Sequence, residues 1–305
     1  METNNKDLIN YTIIIPHYNI PKLLRRCLCS IPKRDDTQVI VVDDKSTDDN
    51  IAFLGTLEKE FPHVEFIYSN INGGGGKARN IGLKKARGKF VLFADADDCF
   101  NYCINEILDE YIGNKNDIVF FNANSIDADT YLQNNRLTTL ESTLIRYRKT
   151  GDLSLFRFMF GEPWCKLIRM DIIADNHIEF EEIPVHNDTR FSYMVGYYAK
   201  NVIFDNRALY CLIDRSGSVS KQVSLERQLL RVRVFSEKNA FLRDRHINQF
   251  DFLLLNPFQY YLKRLDFGNL NSCFDISERY GFGKWFVAKN IVKRLYRAKL
   301  FGEIN

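Results

Sequence analysis

The 305-residue sequence is 45% hydrophobic and 13% aromatic, which suits one large domain or two unequal ones and excludes a disordered or fibrous chain. Its 42 basic and 39 acidic residues leave a net charge of +3, too small for overall charge to select a partner. Seven cysteines, an odd number without a CxxC pair, read as reduced and mostly buried thiols. The N-terminus lacks a secretion-type leader and no apolar run nears the roughly 20 residues of a membrane span, so the expected location is cytoplasmic, with the inner face of the cell membrane as the only surface in question.

Tyr11 to Pro16 and Val39 to Val42 are β-branched runs flanking a helical stretch, Lys22 to Ile31, and together predict a βαβ unit. Val64 to Tyr68 predicts a third strand. A glycine-rich loop follows it, then a helix from about Lys77 to Ala86 and a strand over Phe90 to Ala94. Strands that alternate with helices and are nearly apolar throughout predict an α/β fold, Rossmann-like, with a mostly parallel sheet and helices on both faces. Ile118 to Asn122 predicts a further strand, and Thr139 to Phe160 and Arg169 to Asp175 predict helices beside a cleft. After Ser220, long stretches rich in Leu, Phe, Tyr, Arg and Lys predict an appended helical region.

Ligands of such sheets bind beyond the carboxyl ends of the strands, and three polar loops fall there: His17-Tyr18-Asn19, Asp43 to Asp49, and Asp95 to Asp98. In the last, Asp95, Asp97 and Asp98 emerge from a buried strand, and such crowding is unfavourable unless something positive binds. Mg²⁺ or Mn²⁺ with oxygen ligands is the natural partner; a solvated turn capping the next helix is the alternative. In VVDDKSTDD, Asp43 and Asp44 can accept hydrogen bonds from an imide or a ribose, while Ser46, Thr47 and Asp48 can cap a helix. In NGGGGKARNIGL, the amides of Gly73 to Gly76 with Lys77 and Arg79 suit a diphosphate, and the absence of GK[ST] excludes a Walker A loop. His17 and His186 are each explained as turn residues, and Cys99 and Cys103 have no partnered histidines for a zinc site.

These segments in this order resemble the family 2 glycosyltransferases of GT-A fold. The residues that carry the resemblance are TIIIPHYN (12 to 19), VIVVDDKSTD (39 to 48), GGKARNIGLKKARGKFVLFADADD (75 to 98), PWCKLIRMDII (163 to 173) and HNDTRFSYMVG (186 to 196), about the first two-thirds of the chain. The resemblance implies a bacterial-type enzyme with a nucleotide-diphospho-sugar donor, usually a UDP-sugar, a divalent metal, and transfer with inversion. It implies that Tyr18 lies against the uracil, that Asp44 helped by Asp43 binds its imide edge, and that Arg79 stands near the nucleotide. Pro16, Gly75 and Lys77 fall in the same donor-site segments. Asp95 opens the DxD motif, and Asp97 and Asp98 would be closest to metal and ribose, with their division of labour left open. Where relatives carry Glu-Asp this sequence has Asn187-Asp188, so Asp188 keeps the role of catalytic base. Trp164 and Lys166 resemble a WxK element lining the sugar site, and Tyr210 with Arg215-Ser216-Gly217-Ser218 resembles a segment closing over the diphosphate.

The expected division is a GT-A catalytic domain over 1–220, with a nucleotide-sugar half to about 100 and an acceptor half over 101–220, and a helical region over 221–305. Its partners would be the donor and a glycan or lipid-linked sugar acceptor, with no nucleic acid and a homo-oligomer left open. A nucleotidyltransferase, which shares the architecture, is disfavoured because PHYN stands where its GxGxR-type loop would follow the first strand. A catalytically silent sugar-binding or assembly protein on the same fold, which Asn187 makes conceivable, is disfavoured by the retention of Asp95, Asp97, Asp98 and Asp188. The basic tail, KWFVAKNIVKRLYRAKLFG, sets Ala288, Ile291, Val292, Leu295 and Phe301 on one helical face with Trp285 at its edge, a pattern suited to an anionic membrane surface or to protein packing.

Overall fold

The apolar run Tyr11–His17 forms strand β1, in which all but Pro16 are buried. The structure is a computed structural model that describes residues 8–134, 136–215 and 224–301, with 138, 139 and 295–301 given as backbone. Pro21 then starts helix α1 (Pro21–Cys29), where a missing N–H costs nothing. The alternation continues through β2 (Thr37–Asp43), α2 (Asp48–Glu60), β3 (Val64–Tyr68), α3 (Gly74–Lys85) and β4 (Phe90–Phe93). β1, β2, β3 and β4 pair in parallel, so their carboxyl ends share one edge. Successive residues of β2 serve opposite faces: Val39 and Val41 pack in the main core, which also holds Leu24, Leu54 and Leu57 of α1 and α2, whereas Ile40 and Val42 pack on Ala78 of α3.

The second half of the sheet is mixed. After β5 (Cys99–Phe100) and α4 (Ile104–Glu110) come β6 (Ile118–Asp127), α5 (Thr138–Thr150), α6 (Ser154–Phe158), β7 (Lys166–Arg169), α7 (Met170–Asp175), α8 (Thr189–Tyr198) and β8 (Val202–Asp214). The strand order is β3-β2-β1-β4-β7-β6-β8-β5, with β7 antiparallel to both neighbours, β6 parallel to β8, and β5 antiparallel to β8. The helix expected over 139–160 is two, because Gly151 takes φ 67° and ends α5 in a left-handed cap. Three strands escape the hydrophobic pattern: β5 has two residues and β7 four, and the first half of β8 is half-exposed, which blurs its alternation.

Backbone contacts divide the chain into Met1–Ser218 and Val219–Asn305. The second unit is helical, with α9 (Leu225–Asp244), α10 (Leu255–Lys263), α11 (Phe267–Glu278) and α12 (Lys284–Phe301) around Val232, Phe235, Leu254, Phe258 and Val287. Ser224 caps α9 and Asp266 caps α11. A buried ion pair, Lys238 Nζ to Asp251 Oδ2 at 2.6 Å, ties α9 to the following loop. Of the tail residues expected on one face, Ile291 packs on the core of this unit, whereas Ala288 and Val292 are exposed, Val292 at 65%, with Trp285 at 88%; the side chains of Leu295 and Phe301 lie outside the described residues, and the buried contact comes from Val287.

Two glycines in the first unit should respond with opposite signs. A methyl on Gly82 of α3 would meet Ile14 Cγ2 at 2.5 Å, whereas one on Gly55 of α2 meets nothing within 4 Å. Gly82→Ala is expected to lower unfolding free energy by about 1–3 kcal/mol through overpacking, and Gly55→Ala to raise it by roughly 0.5–1 kcal/mol. Urea unfolding measures both, and a stabilised Gly82→Ala would refute the close approach of α3 to β1.

Candidate active site

The loops after β1 and β2 are joined by buried polar groups. His17 Nδ1 lies 2.8 Å from Asp43 Oδ1, and His17 Nε2 accepts a hydrogen bond from the Ile20 amide at 3.1 Å, so the ring is neutral with its proton on Nδ1. Ser46 donates to both Asp43 oxygens, from Oγ at 2.5 Å and from N at 2.8 Å. Burial alone would raise the Asp43 carboxyl, but these hydrogen bonds hold it below its ordinary value. Asn19, at φ 56°, receives the Thr47 amide on its side-chain oxygen and donates its own amide to Ser46 Oγ, both at 2.8 Å. Tyr18 stands between these anchors with its side chain outward, 49% exposed.

Asp44 departs from the expected arrangement. Its Oδ1 accepts the Gly73 amide at 2.8 Å and its Oδ2 the Gly74 amide at 2.7 Å, so the carboxylate sits at the start of α3. The amides read from sequence as a diphosphate cradle are thus partly taken, because an internal carboxylate satisfies the helix terminus. Neither Asp43 nor Asp44 is exposed, and each knits loops together. Lys77 is half-buried, crosses Gly73, and makes no hydrogen bond or ion pair with the described residues. Pro16 pairs with Val42 in the sheet and is half-buried.

The acidic run is held chiefly by β8. Tyr210 Oη accepts the Asp95 amide at 2.7 Å, the Ile213 amide donates to Asp98 Oδ1 at 2.8 Å, and Arg215 pairs with Asp97 Oδ2 at 2.9 Å. Arg26 of α1 donates to the Asp97 carbonyl at 2.5 Å, and Arg79 pairs with Asp95 at 2.6 Å. Burial, and then the charges of Asp95 and Asp97, push the Asp98 carboxyl well up. Among the described residues no three His, Cys, Asp or Glu side chains form a ready ligand set; Asp98 is buried and accepts from β8, while Asp95 and Asp97 are half-buried. Two carboxylates are what Mg²⁺ or Mn²⁺ commonly takes from protein, substrate phosphates and water supplying the rest, so the donor chemistry of Asp95 and Asp97 fits such an ion.

Asp188 occupies the N-cap position of α8, yet its side chain caps nothing. It is half-buried, and its pKa is pushed up to about 6, by burial first and then by Glu162 and Asp95, against the opposing pull of Arg79. Asn187, beside it, accepts a hydrogen bond from Arg79 Nη1 at 3.2 Å. Arg79 thus spans from the acidic run to the turn that presents Asp188.

Trp164 and Lys166 are buried rather than lining an open site. Trp164 stacks on Tyr210 at 5.5 Å, with planes 10° apart, and so supports the residue that holds the Asp95 amide. Lys166 Nζ donates to the Phe160 carbonyl at 2.7 Å and to Ser192 Oγ at 3.0 Å, bracing α8 against the loop before β7. Ser216, Gly217 and Ser218 lie outside the described residues. Glu162 and Arg26 are site residues that the sequence reading missed. Glu162 stands two residues before Trp164, where an acid beside the WxK element was a usable signal; Arg26 is brought in only by the packing of α1.

Residues 12–176 match the model of glycosyl transferase family 2. The chain belongs to that family. Glycosyltransferase GlyG of Streptococcus pneumoniae is 28% identical over 245 residues, 74% of this chain and 78% of that one. Poly(ribitol-phosphate) β-N-acetylglucosaminyltransferase TarS of Staphylococcus aureus is 28% identical over 254 residues, 79% of this chain but only 43% of TarS. The crystal structure of TarS 1–349 in complex with UDP-GlcNAc superposes with a TM-score of 0.59 at 23% identity, covering 90% of this chain and 75% of that one. A mannosyltransferase of Pyrobaculum calidifontis, in complex with GDP-Man and Mn²⁺, gives 0.54 at 14% identity, covering 95% and 80%. These structures share the GT-A-like fold of this glycosyltransferase, a mixed eight-stranded sheet with helices, followed here by C-terminal helices.

The charges around Asp188 can be tested directly by ¹³C NMR titration of its carboxyl. A midpoint near 6 is expected. Glu162→Gln should lower it and Arg79→Gln should raise it, because one removes a like charge and the other a cation. The folded state holds this proton more tightly than the unfolded chain does, so the ionised group costs stability as pH rises from about 4 through 6. Asp188→Asn should therefore stabilise the protein at pH 7 and not below pH 4, and a midpoint near 4 would refute the assigned environment.

Proposed function

We propose that this glycosyltransferase moves a sugar from a UDP-sugar to a hydroxyl of a surface-glycan acceptor, with inversion, and that Asp188 is the base. The observation that carries this reading is the setting of the Asp188 carboxyl: it caps no helix, burial pushes it up to about 6, and it is linked through Asn187 and Arg79 to the acidic run at the end of β4. A base poised near the working pH is what removal of a hydroxyl proton requires. TarS supports the donor class, since its crystal structure holds UDP-GlcNAc, and its name supports a polymeric acceptor, poly(ribitol phosphate) in its own case.

In this reading Tyr18 offers its exposed ring to the base, and Asp44, through its hold on Gly73 and Gly74, fixes the wall that the nucleotide meets. Asp95 and Asp97 would hold Mn²⁺ or Mg²⁺, and the ion would supply positive charge to the departing diphosphate. Lys77, without a partner among the described residues, adds a cation at the same rim, and Arg215 adds another from the end of β8. Asp188 accepts the acceptor's proton as the hydroxyl oxygen attacks the anomeric carbon opposite the leaving UDP. Trp164 and Lys166 act behind this surface, keeping the acidic run and α8 in register.

Asp188→Asn should reduce release of UDP from UDP-GlcNAc by about 10²- to 10⁴-fold while leaving UDP affinity by calorimetry unchanged. Wild-type turnover in that variant would reject the base assignment. Wild-type activity should fall below about pH 6 as Asp188 takes up a proton.

Peripheral contact with an anionic membrane through α12 belongs to the same reading. No helix among the described residues is long and apolar enough to cross a membrane, but α12 has no acidic residue, and exposed Trp285 and Val292 stand with exposed Lys289 and Lys293. Full-length protein should float with phosphatidylglycerol vesicles but not with phosphatidylcholine vesicles, and Trp285→Ala with Lys289→Glu should abolish flotation. Equal flotation of variant and wild type would remove the helix from this role.

A further inference from the structure

Asn187 is a chemical departure at the turn before Asp188, and its side chain is fully specified by its surroundings. Its Oδ1 accepts from Arg79 Nη1 at 3.2 Å and its Nδ2 donates to the Ile183 carbonyl at 3.4 Å. Its own carbonyl accepts the Glu181 amide at 3.1 Å, closing the turn. The bare start of α3 lies directly against this turn: a methyl on Gly76 would fall 2.1 Å from the Glu181 carbonyl oxygen and 3.1 Å from Asn187 Cβ. Arg79 is itself pinned. It lies over the Phe180 ring at 5.5 Å, its Nη2 is committed to Asp95 at 2.6 Å, and its Nε is buried with no partner among the described residues.

Only an amide satisfies both contacts at this position. A carboxylate can accept from Arg79, but it cannot donate to the Ile183 carbonyl and would set two oxygens against each other. It would also compete with Asp95 for the one guanidinium between them. We propose that Asn187 is a positioning residue: its amide locks the turn carrying the base to Arg79 and thence to the acidic run, while leaving the arginine's charge to Asp95. The inference rests on the reading of Asp188 as the base. The charged groups acting on that base are Arg79 from α3, Glu162 from the loop before β7 and Asp95 from the loop after β4, and its own turn also carries His186 and Glu181. A carboxylate at 187 adds a further negative charge to this set.

The decisive variant is Asn187→Asp, which keeps the volume and changes one donor into an acceptor. With UDP-GlcNAc and Mn²⁺, kcat for UDP release should fall by about 10- to 100-fold, the cost of a small misplacement of a reacting group. KM for the donor should not change, and the acidic limb of the pH profile should move up because a like charge now faces Asp188. Asn187→Ala, which deletes the lock without adding charge, should lose kcat with no upward move of the limb. Thermal unfolding of both variants identifies loss through misfolding. Equal losses in the two variants with an unmoved limb and a lowered melting temperature would mean packing alone and would overturn the proposal. So would an Asn187→Asp protein with wild-type kcat and pH profile. Asp188→Asn separates the two levels: if it still turns over, the base assignment itself fails, whereas an inactive Asp188→Asn beside a normal Asn187→Asp rejects only the positioning role.

Discussion

The structure turns on the balance between crowded carboxylates and a few arginines at the end of β4. Asp95, Asp97 and Asp98 follow one another at the strand end and Asp95 also acts on Asp188, and burial makes the charges of Asp98 and Asp188 harder to keep than they would be in water. The fold answers differently at each. Arg79 meets Asp95 and Arg215 meets Asp97, while a backbone amide of β8 serves the buried Asp98. Asp188 makes no side-chain hydrogen bond or ion pair with another described residue, and burial pushes its carboxyl up to about 6. The fold thus treats four chemically identical groups unequally, and the proposed division between a cation site and a base rests on that asymmetry.

Strand β8 is what makes that distribution mechanically firm. It touches the acidic run through Tyr210 and Ile213, Arg215 just past its end meets Asp97, and Trp164 stacks behind Tyr210. The aromatic pair is buried in the main core, so hydrophobic packing and the placement of a polar loop are the same event. Lys166 performs the corresponding task for α8, its charge spent on a carbonyl and a hydroxyl under the helix that carries Asp188. Residues that resemble a sugar-site element by their spacing thus lie one layer back from the surface they shape.

The first half of the fold was legible because its strands are short apolar runs separated by helices, and parallel pairing follows from that alternation. The sequence also located the three polar loops on one edge, since β1, β2 and β4 end on the same side. The second half was harder. β8 is half-exposed over its first residues, and β7 is too short to show a period. At the site, residue types were readable but their partners were not. That Asp44 would satisfy the start of α3 depends on two loops meeting across 29 residues, and that Arg26 would reach Asp97 depends on how α1 rolls against the sheet. The sequence pattern of the tail places Ile291 and Val292 on one face, whereas α12 turns Ile291, with Val287, toward its own core and leaves Val292 outward beside Trp285. A short amphipathic helix offers several near-equivalent stripes, and tertiary packing selects among them.

The joining of the first two loops has a thermodynamic consequence. Tyr18 sits on a backbone fixed on one side by His17, whose two ring nitrogens are both engaged, and on the other by Asn19, bonded to Ser46 and Thr47. The conformational entropy of that short segment has already been lost on folding, so a planar ligand laid on the ring need not order the loop beneath it. Affinity at such a platform tracks the stacking contact itself rather than the difference between stacking and a disorder-to-order transition, and it should carry little of the heat-capacity signature that accompanies coupled folding and binding.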